Sequence, residues 1–162
     1  MKRNLDPIKA GGVLLAGLDF LPSVLDPGRW RLLDWLNLFV HEAGHPIFGI
    51  LGEFPGFAGG TLAQILMPIA FMIAFRQKGQ LFSSAIAGCW LGQSLLNVSH
   101  YAADAILMDL PLFGAGDRIH DWNWMLDTLG ILPATPLISG MIRLLGTLVL
   151  GWSLYKAWKL AS

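Results

Sequence analysis

The sequence predicts an all-α protein: a polytopic membrane helix bundle of about four transmembrane helices with a short interfacial N-terminal segment, forming one integral-membrane domain over residues 1–162. Three observations carry this expectation. Hydrophobic residues make up 54% of the chain and charged residues 14%, with a mean hydropathy of +0.56, whereas soluble domains carry about 25% charged residues. Apolar runs near the ~20 residues that a span needs alternate with breaks rich in glycine, proline or charge. The lysines and arginines are distributed unevenly about those runs. The zero net charge gives no reason to expect a nucleic-acid partner. A single cysteine, Cys89 in an apolar run, excludes a disulfide within the chain.

Taken in order, the chain opens with Met1, Lys2 and Arg3, which resemble the start of a signal peptide. The apolar run over 12–18 is short, stops at Asp19 and is followed by no small-x-small cleavage pattern, so the segment should be retained. Residues 11–25 are too short and too interrupted for a span and read as the interfacial segment. The first membrane helix is expected at about 32–51. Within it Pro46 cannot donate to the Glu42 carbonyl, so the helix should kink or loosen there. Residues 52–60 are glycine-rich and should form an irregular connection close to the functional residues.

A second helix is expected at about 61–75, closed by Arg76, Gln77, Lys78 and Gly79. A third runs from about 81 to 107, and a mixed segment follows over 108–136. The fourth, about 137–158, contains Arg143, which should face the bundle or snorkel outward toward a carboxylate such as Asp104, Asp117 or Asp121. With the N-terminus in the cytoplasm, Lys2, Arg3, Lys9, Arg29, Arg31, Arg76, Lys78, Lys156 and Lys159 all fall inside, and only Arg118 falls in an outer loop. Trp30, Trp35, Trp152, Tyr155 and Trp158 would form an inner aromatic belt, with Trp122 and Trp124 at the outer one. The expected location is a bacterial inner membrane, both termini cytoplasmic.

Chemistry enters at His41-Glu42-Ala43-Gly44-His45. Helical residues four apart lie one turn above each other, so both imidazoles can reach one metal ion. Glu42 projects to the side, where it can deprotonate a water. Asp34 and Asn37 fall on roughly the same face. Ionisable groups inside apolar segments are costly and usually functional, which favours a metal site over buried structural histidines.

The third helix carries a second polar stripe, Gln93, Asn97, His100 and Asp104, spaced by four, three and four residues. Such a stripe should face the bundle interior. A catalytic zinc normally has three protein ligands, and the candidates for the third are His100, Asp104, Asp117, His120 and Asp121. Depth and stripe position favour Asp104, followed by His120 in a glycine-flanked outer loop. Asn97, His100 and Asp121 are expected beside the ligands or the substrate. Zinc suits a set of histidine and carboxylate ligands, which iron or manganese would also fit.

The motif within a membrane helix resembles the site-2-type intramembrane metalloproteases. In that family a later membrane helix supplies an Asp as third zinc ligand, commonly after an Asn, and the motif's Glu is the general base. The resemblance therefore implies Asp104, preceded by Asn97, as ligand and Glu42 as base. The family's Asn-Pro and Asp-Gly dipeptides are replaced here by Asn97-Val98 and Asp104-Ala105, and no peptide-binding domain is appended. Gly59-Gly60-Thr61-Leu62, Trp90-Leu91-Gly92-Gln93 and His120-Asp121-Trp122-Asn123-Trp124 also look like segments of a group of small bacterial membrane proteins with the same helix.

The expected function is a zinc-dependent membrane metallohydrolase, foremost an intramembrane protease acting on a membrane-embedded peptide. Hydrolysis of a lipid or small amide is the second reading, and a non-enzymatic metal-binding scaffold the third. A scaffold would not need Glu42.

Overall fold

A computed structural model describes residues 5–111 and 119–162 and is helical throughout, with no strand among the described residues. Lys2, Arg3, Asp117 and Arg118 lie outside those residues. Helix α1 (Pro7–Phe20) opens at Asp6, whose carboxylate accepts the Ile8 and Lys9 backbone N–H groups, and Pro7 occupies a position that needs no donor. A one-turn helix, α2 (Pro22–Leu25), continues from it. Then come α3 (Leu32–Gly49), α4 (Glu53–Gln77) and α5 (Leu81–Ala103). After these, α6 (Asp121–Thr128), a 3-10 turn (Leu132–Ala134) and α7 (Thr135–Ala161) complete the order.

Among the described residues, four helical segments are long and apolar enough to cross a membrane: Pro7–Leu25, Glu53–Gln77, Leu81–Ala103 and Leu132–Ala161. The number matches the expectation, but the membership differs. The N-terminal segment qualifies because Asp19 and Pro22 fall where α1 hands over to α2 and do not end the helical run. Helix α3 does not qualify, because Asp34, Asn37, His41, Glu42 and His45 all sit within it. The residues expected to do chemistry are the ones that make this helix too polar to count.

Glycine sets how closely the helices approach. Helices α3 and α4 pack antiparallel, with Gly44 directly on the Gly59 carbonyl. A Cβ on Gly92 of α5 would come 2.7 Å from Leu150 Cβ of α7, where Cys89, Leu96 and Leu150 form a fully buried core covered by Phe20, Val24 and Leu154. The 52–60 segment is helical rather than irregular, since α4 already starts at Glu53 and only Gly52 (φ +125°) makes the turn. Residues expected in helix at 104–107 lie past the end of α5, with Asp104 as its C-terminal cap. Helix α3 continues through Pro46.

Helix α1 lies antiparallel to α7, and the Asp6 N–H donates to the Ala161 carbonyl at 2.7 Å, so the two ends of the described chain meet. Lys9 reaches over the Phe82 ring at the start of α5, so Lys9, Arg76, Lys78, Lys156 and Lys159 gather at one end of the bundle. Arg29 and Arg31, expected on that side, are carried away from it by α1 and α2. Gly28 packs on the His100 ring near the other end of α5, and Arg31 stays in this loop by donating to the carbonyls of Arg29 and Asp26. Arg143 meets no carboxylate among the described residues. Its guanidinium donates to the Val24 carbonyl at 2.7 Å, placing a cation at the C-terminus of α2, the favourable end of a helix dipole.

Candidate metal centre

The site is built on α3, which is held at a buried polar seam. Asp34, in the first turn of α3, accepts the Arg31 backbone N–H at 2.7 Å, and its other oxygen accepts from Gln93 and from Asn97 (3.2 Å). The Asn37 amide donates to Gln93 Oε1 at 2.7 Å, while Asn37 Oδ1 accepts from Trp90 (2.8 Å) and Ser94 (3.2 Å). Gln64 of α4 donates to Asn97 Oδ1 at 2.8 Å. Three helices therefore share one chain of satisfied hydrogen bonds, which is what makes so polar a helix tolerable in an apolar bundle. Gln93 and Asn97 act here as partners that fix α3.

One and two turns further on, α3 presents His41 and His45. Their rings stand 5.0 Å apart between centroids. His41 Nε2 lies 3.0 Å and His45 Nε2 lies 3.4 Å from the same oxygen, Asp121 Oδ2. His41, His45 and Asp121 each offer a ligand atom within 4.8 Å of the others. His45 Nδ1 is 2.9 Å from the Gly56 carbonyl, which fixes the proton on Nδ1 and leaves Nε2 as the free lone pair. Gly60 gives His41 its room, because a Cβ there would come 2.5 Å from Nε2. The glycine-rich stretch thus lies beside the site as expected, though as a helix face.

The residues expected as third and fourth ligands are elsewhere engaged. Asp104 accepts the Asp109 and Leu110 backbone N–H groups at 2.9 and 3.0 Å, closing the turn after α5. His120 caps α6, its Nδ1 accepting from the Asn123 N–H at 3.2 Å. Its Nε2 lies 3.3 Å from Asp104 Oδ2, close enough for an ion pair but not aligned as a hydrogen bond. Burial holds the His120 imidazole below its usual pKa, against the opposing pull of Asp104 and Asp121. Asp104 and His120 therefore face each other, and Asp121, a candidate ranked below them and expected chiefly beside the ligands, occupies the place beside both motif histidines. The reason is local: His120 is the cap, so Asp121 takes the first helical position of α6 and is pointed back by it.

Tyr101 is the neighbour of the trio that sequence reasoning missed. Its hydroxyl accepts the Asp121 N–H at 3.2 Å and lies 3.4 Å from Asp121 Oδ2, and its ring packs on His41 and His120. One residue past His100 on the stripe, it reads in sequence as an ordinary core aromatic.

Two cavities meet at the trio. An inner one of about 340 Å³ runs from His41, His45 and Asp121 past Tyr101 and His100 to Asn97, Gln64 and Asp34. Trp30, expected in an aromatic belt, lines it. An outer, more open groove of about 700 Å³ is lined by Pro46, Gly52, Glu53, Gly56 and Phe57. Glu42, His45 and Asp121 border both. The Phe57 ring stacks on Trp124 at 4.1 Å and ties α4 to α6 beside the groove.

The chain matches no protein-family model, and no curated protein or solved structure shows significant similarity to it.

Proposed function

We propose that this protein is a zinc-dependent membrane hydrolase of amide bonds, with zinc held by His41, His45 and Asp121 and with Glu42 as general base. The observation that supports it is the convergence of those three ligand atoms, contributed by two separate elements, at the junction of two cavities that Glu42 also borders. Two histidines and one carboxylate are a common catalytic zinc set, leaving one coordination position for water or substrate. Zinc, when bound, polarises the scissile carbonyl and makes the attacking water more acidic. Glu42 accepts the proton of that water and returns it to the leaving nitrogen. The Gly56 carbonyl keeps His45 in the tautomer that can bind metal.

A peptide substrate would lie in an extended form. A helix is ~10–12 Å across with its side chains, and the small inner cavity of about 340 Å³ favours a segment that is unwound where it enters. The apolar walls at Leu38, Leu110 and Pro111 support lipid amide hydrolysis as a second reading. The basic end formed by Lys9, Arg76, Lys78, Lys156 and Lys159 would face the cytoplasm. The experiment is elemental analysis of the detergent-purified protein with hydrolysis of fluorogenic peptides and N-acyl amides in micelles. One zinc per chain is expected, with Glu42→Gln keeping the zinc and losing hydrolysis. A metal-free wild type, or an active Glu42→Gln, would defeat the proposal.

A further inference from the structure

We infer that Tyr101 is a catalytic residue, donating a hydrogen bond to the scissile carbonyl oxygen as it gains negative charge; the inference rests on the metal site proposed above. Hydrolysis of an amide builds negative charge on that oxygen, and a donor already in place stabilises the charge without reorganising. No Lys or Arg is among the described residues that line the inner cavity, so the side-chain donors there, apart from the motif histidines, are His100, Trp30, the amides and Tyr101. The cavity's amides are committed, since Gln64 donates to Asn97 and Asn97 donates to Asp34. The Tyr101 hydroxyl borders the same cavity and is differently placed.

Its oxygen is anchored by the Asp121 N–H at 3.2 Å, which fills an acceptor site, while its proton is donated to Asp121 Oδ2 over a long 3.4 Å. The acceptor it faces, Asp121 Oδ2 at 3.4 Å, is beyond the usual O–H···O range and is the atom shared by His41 and His45. Once that oxygen serves as a ligand, the phenol proton can turn toward a substrate oxygen held at the trio. The ring itself is fixed against His41 (5.7 Å between centroids) and His120 (4.3 Å). In the reaction, the water oxygen bonds to the carbonyl carbon, the carbon–nitrogen bond breaks, and the proton travels through Glu42 to nitrogen. Tyr101 keeps its proton throughout.

The test uses the cobalt-loaded full chain, with acetohydroxamate as a probe carrying an anionic oxygen and imidazole as a probe without one. Tyr101→Phe retains the ring packing and removes only the hydroxyl. The expected result is unchanged cobalt content, unchanged imidazole affinity and about tenfold weaker acetohydroxamate binding, the size of one lost hydrogen bond to a charged group. Equal acetohydroxamate affinity in the two proteins would overturn the inference. So would loss of cobalt, or parallel weakening of both probes, since either makes Tyr101 a support for Asp121 alone. A wild-type protein that takes up no cobalt would instead refute the metal site itself.

Discussion

At the scale of single residues, the carboxylates divide by what already occupies them. Asp104 closes the turn after α5 through two backbone N–H groups, whereas Asp121 shares one oxygen between two imidazoles. Asp121→Ala should therefore lower bound zinc to background, while Asp104→Ala should keep it near stoichiometric, as read by elemental analysis after gel filtration. The reverse pattern would return the ligand role to the end of α5. A second residue-scale prediction concerns Gly60. A methyl group there would meet His41 Nε2 at 2.5 Å, and the ring cannot yield without leaving Asp121. Gly60→Ala should weaken zinc affinity at least about tenfold, the loss typical of disturbing a ligand's orientation, with helicity by circular dichroism unchanged. The motif histidines and Glu42 were legible in the sequence because their spacing is the helix's own repeat. Asp121 was harder to place, since an acidic residue in the first turn of a short helix ordinarily serves the helix dipole and carries no mark of a ligand.

At the scale of elements, α3 depends on its neighbours. Asp34 collects donors from Arg31, Gln93 and Asn97, and its loss would strand the buried Gln93 amide and the half-buried Asn97 amide. Each unsatisfied buried donor costs ~1–3 kcal/mol, so Asp34→Ala should destabilise the protein by a few kcal/mol. Thermal or denaturant unfolding in detergent checks this, and a change below about 0.5 kcal/mol would show the seam to be dispensable. The stripe on α5 was visible from its spacing, but its division was not. Gln93 and Asn97 serve the seam, His100 faces the cavity, and Asp104 ends the helix. Periodicity reports which residues share a face; it does not report which neighbour meets that face at each level. The start of α4 escaped sequence reading for a related reason. Glycines at 56, 59 and 60 suggest a flexible connection, yet here they are small residues that let one helix lie against another, a use that only the partner reveals.

At the scale of the whole molecule, the apolar runs announced an all-helical bundle and the number of helices long and apolar enough to span a membrane. They left the N-terminal segment out of that number, and it qualifies by length because a turn of helix resumes at Pro22 beyond the polar interruption. The resulting arrangement brings Asp6 to Ala161 and sets Lys9 and Lys159 at one end. Single cysteines introduced at positions 9 and 159, with Cys89 replaced, should label equally with a membrane-impermeant thiol reagent and only in inverted vesicles. Labelling of one site in each orientation would break the arrangement. The partnership between His41 and Asp121 spans 80 residues of chain, and this separation governs when the centre can exist. A growing polypeptide emerges from the ribosome with its histidine pair long before the carboxylate that completes the set, and α4 and α5 must be laid down in between. A nascent chain halted at Ala103 should accordingly retain no zinc through gel filtration. Metal capture at the proposed centre would then wait for α6, and a chain cut short before it would carry the histidine pair without the carboxylate.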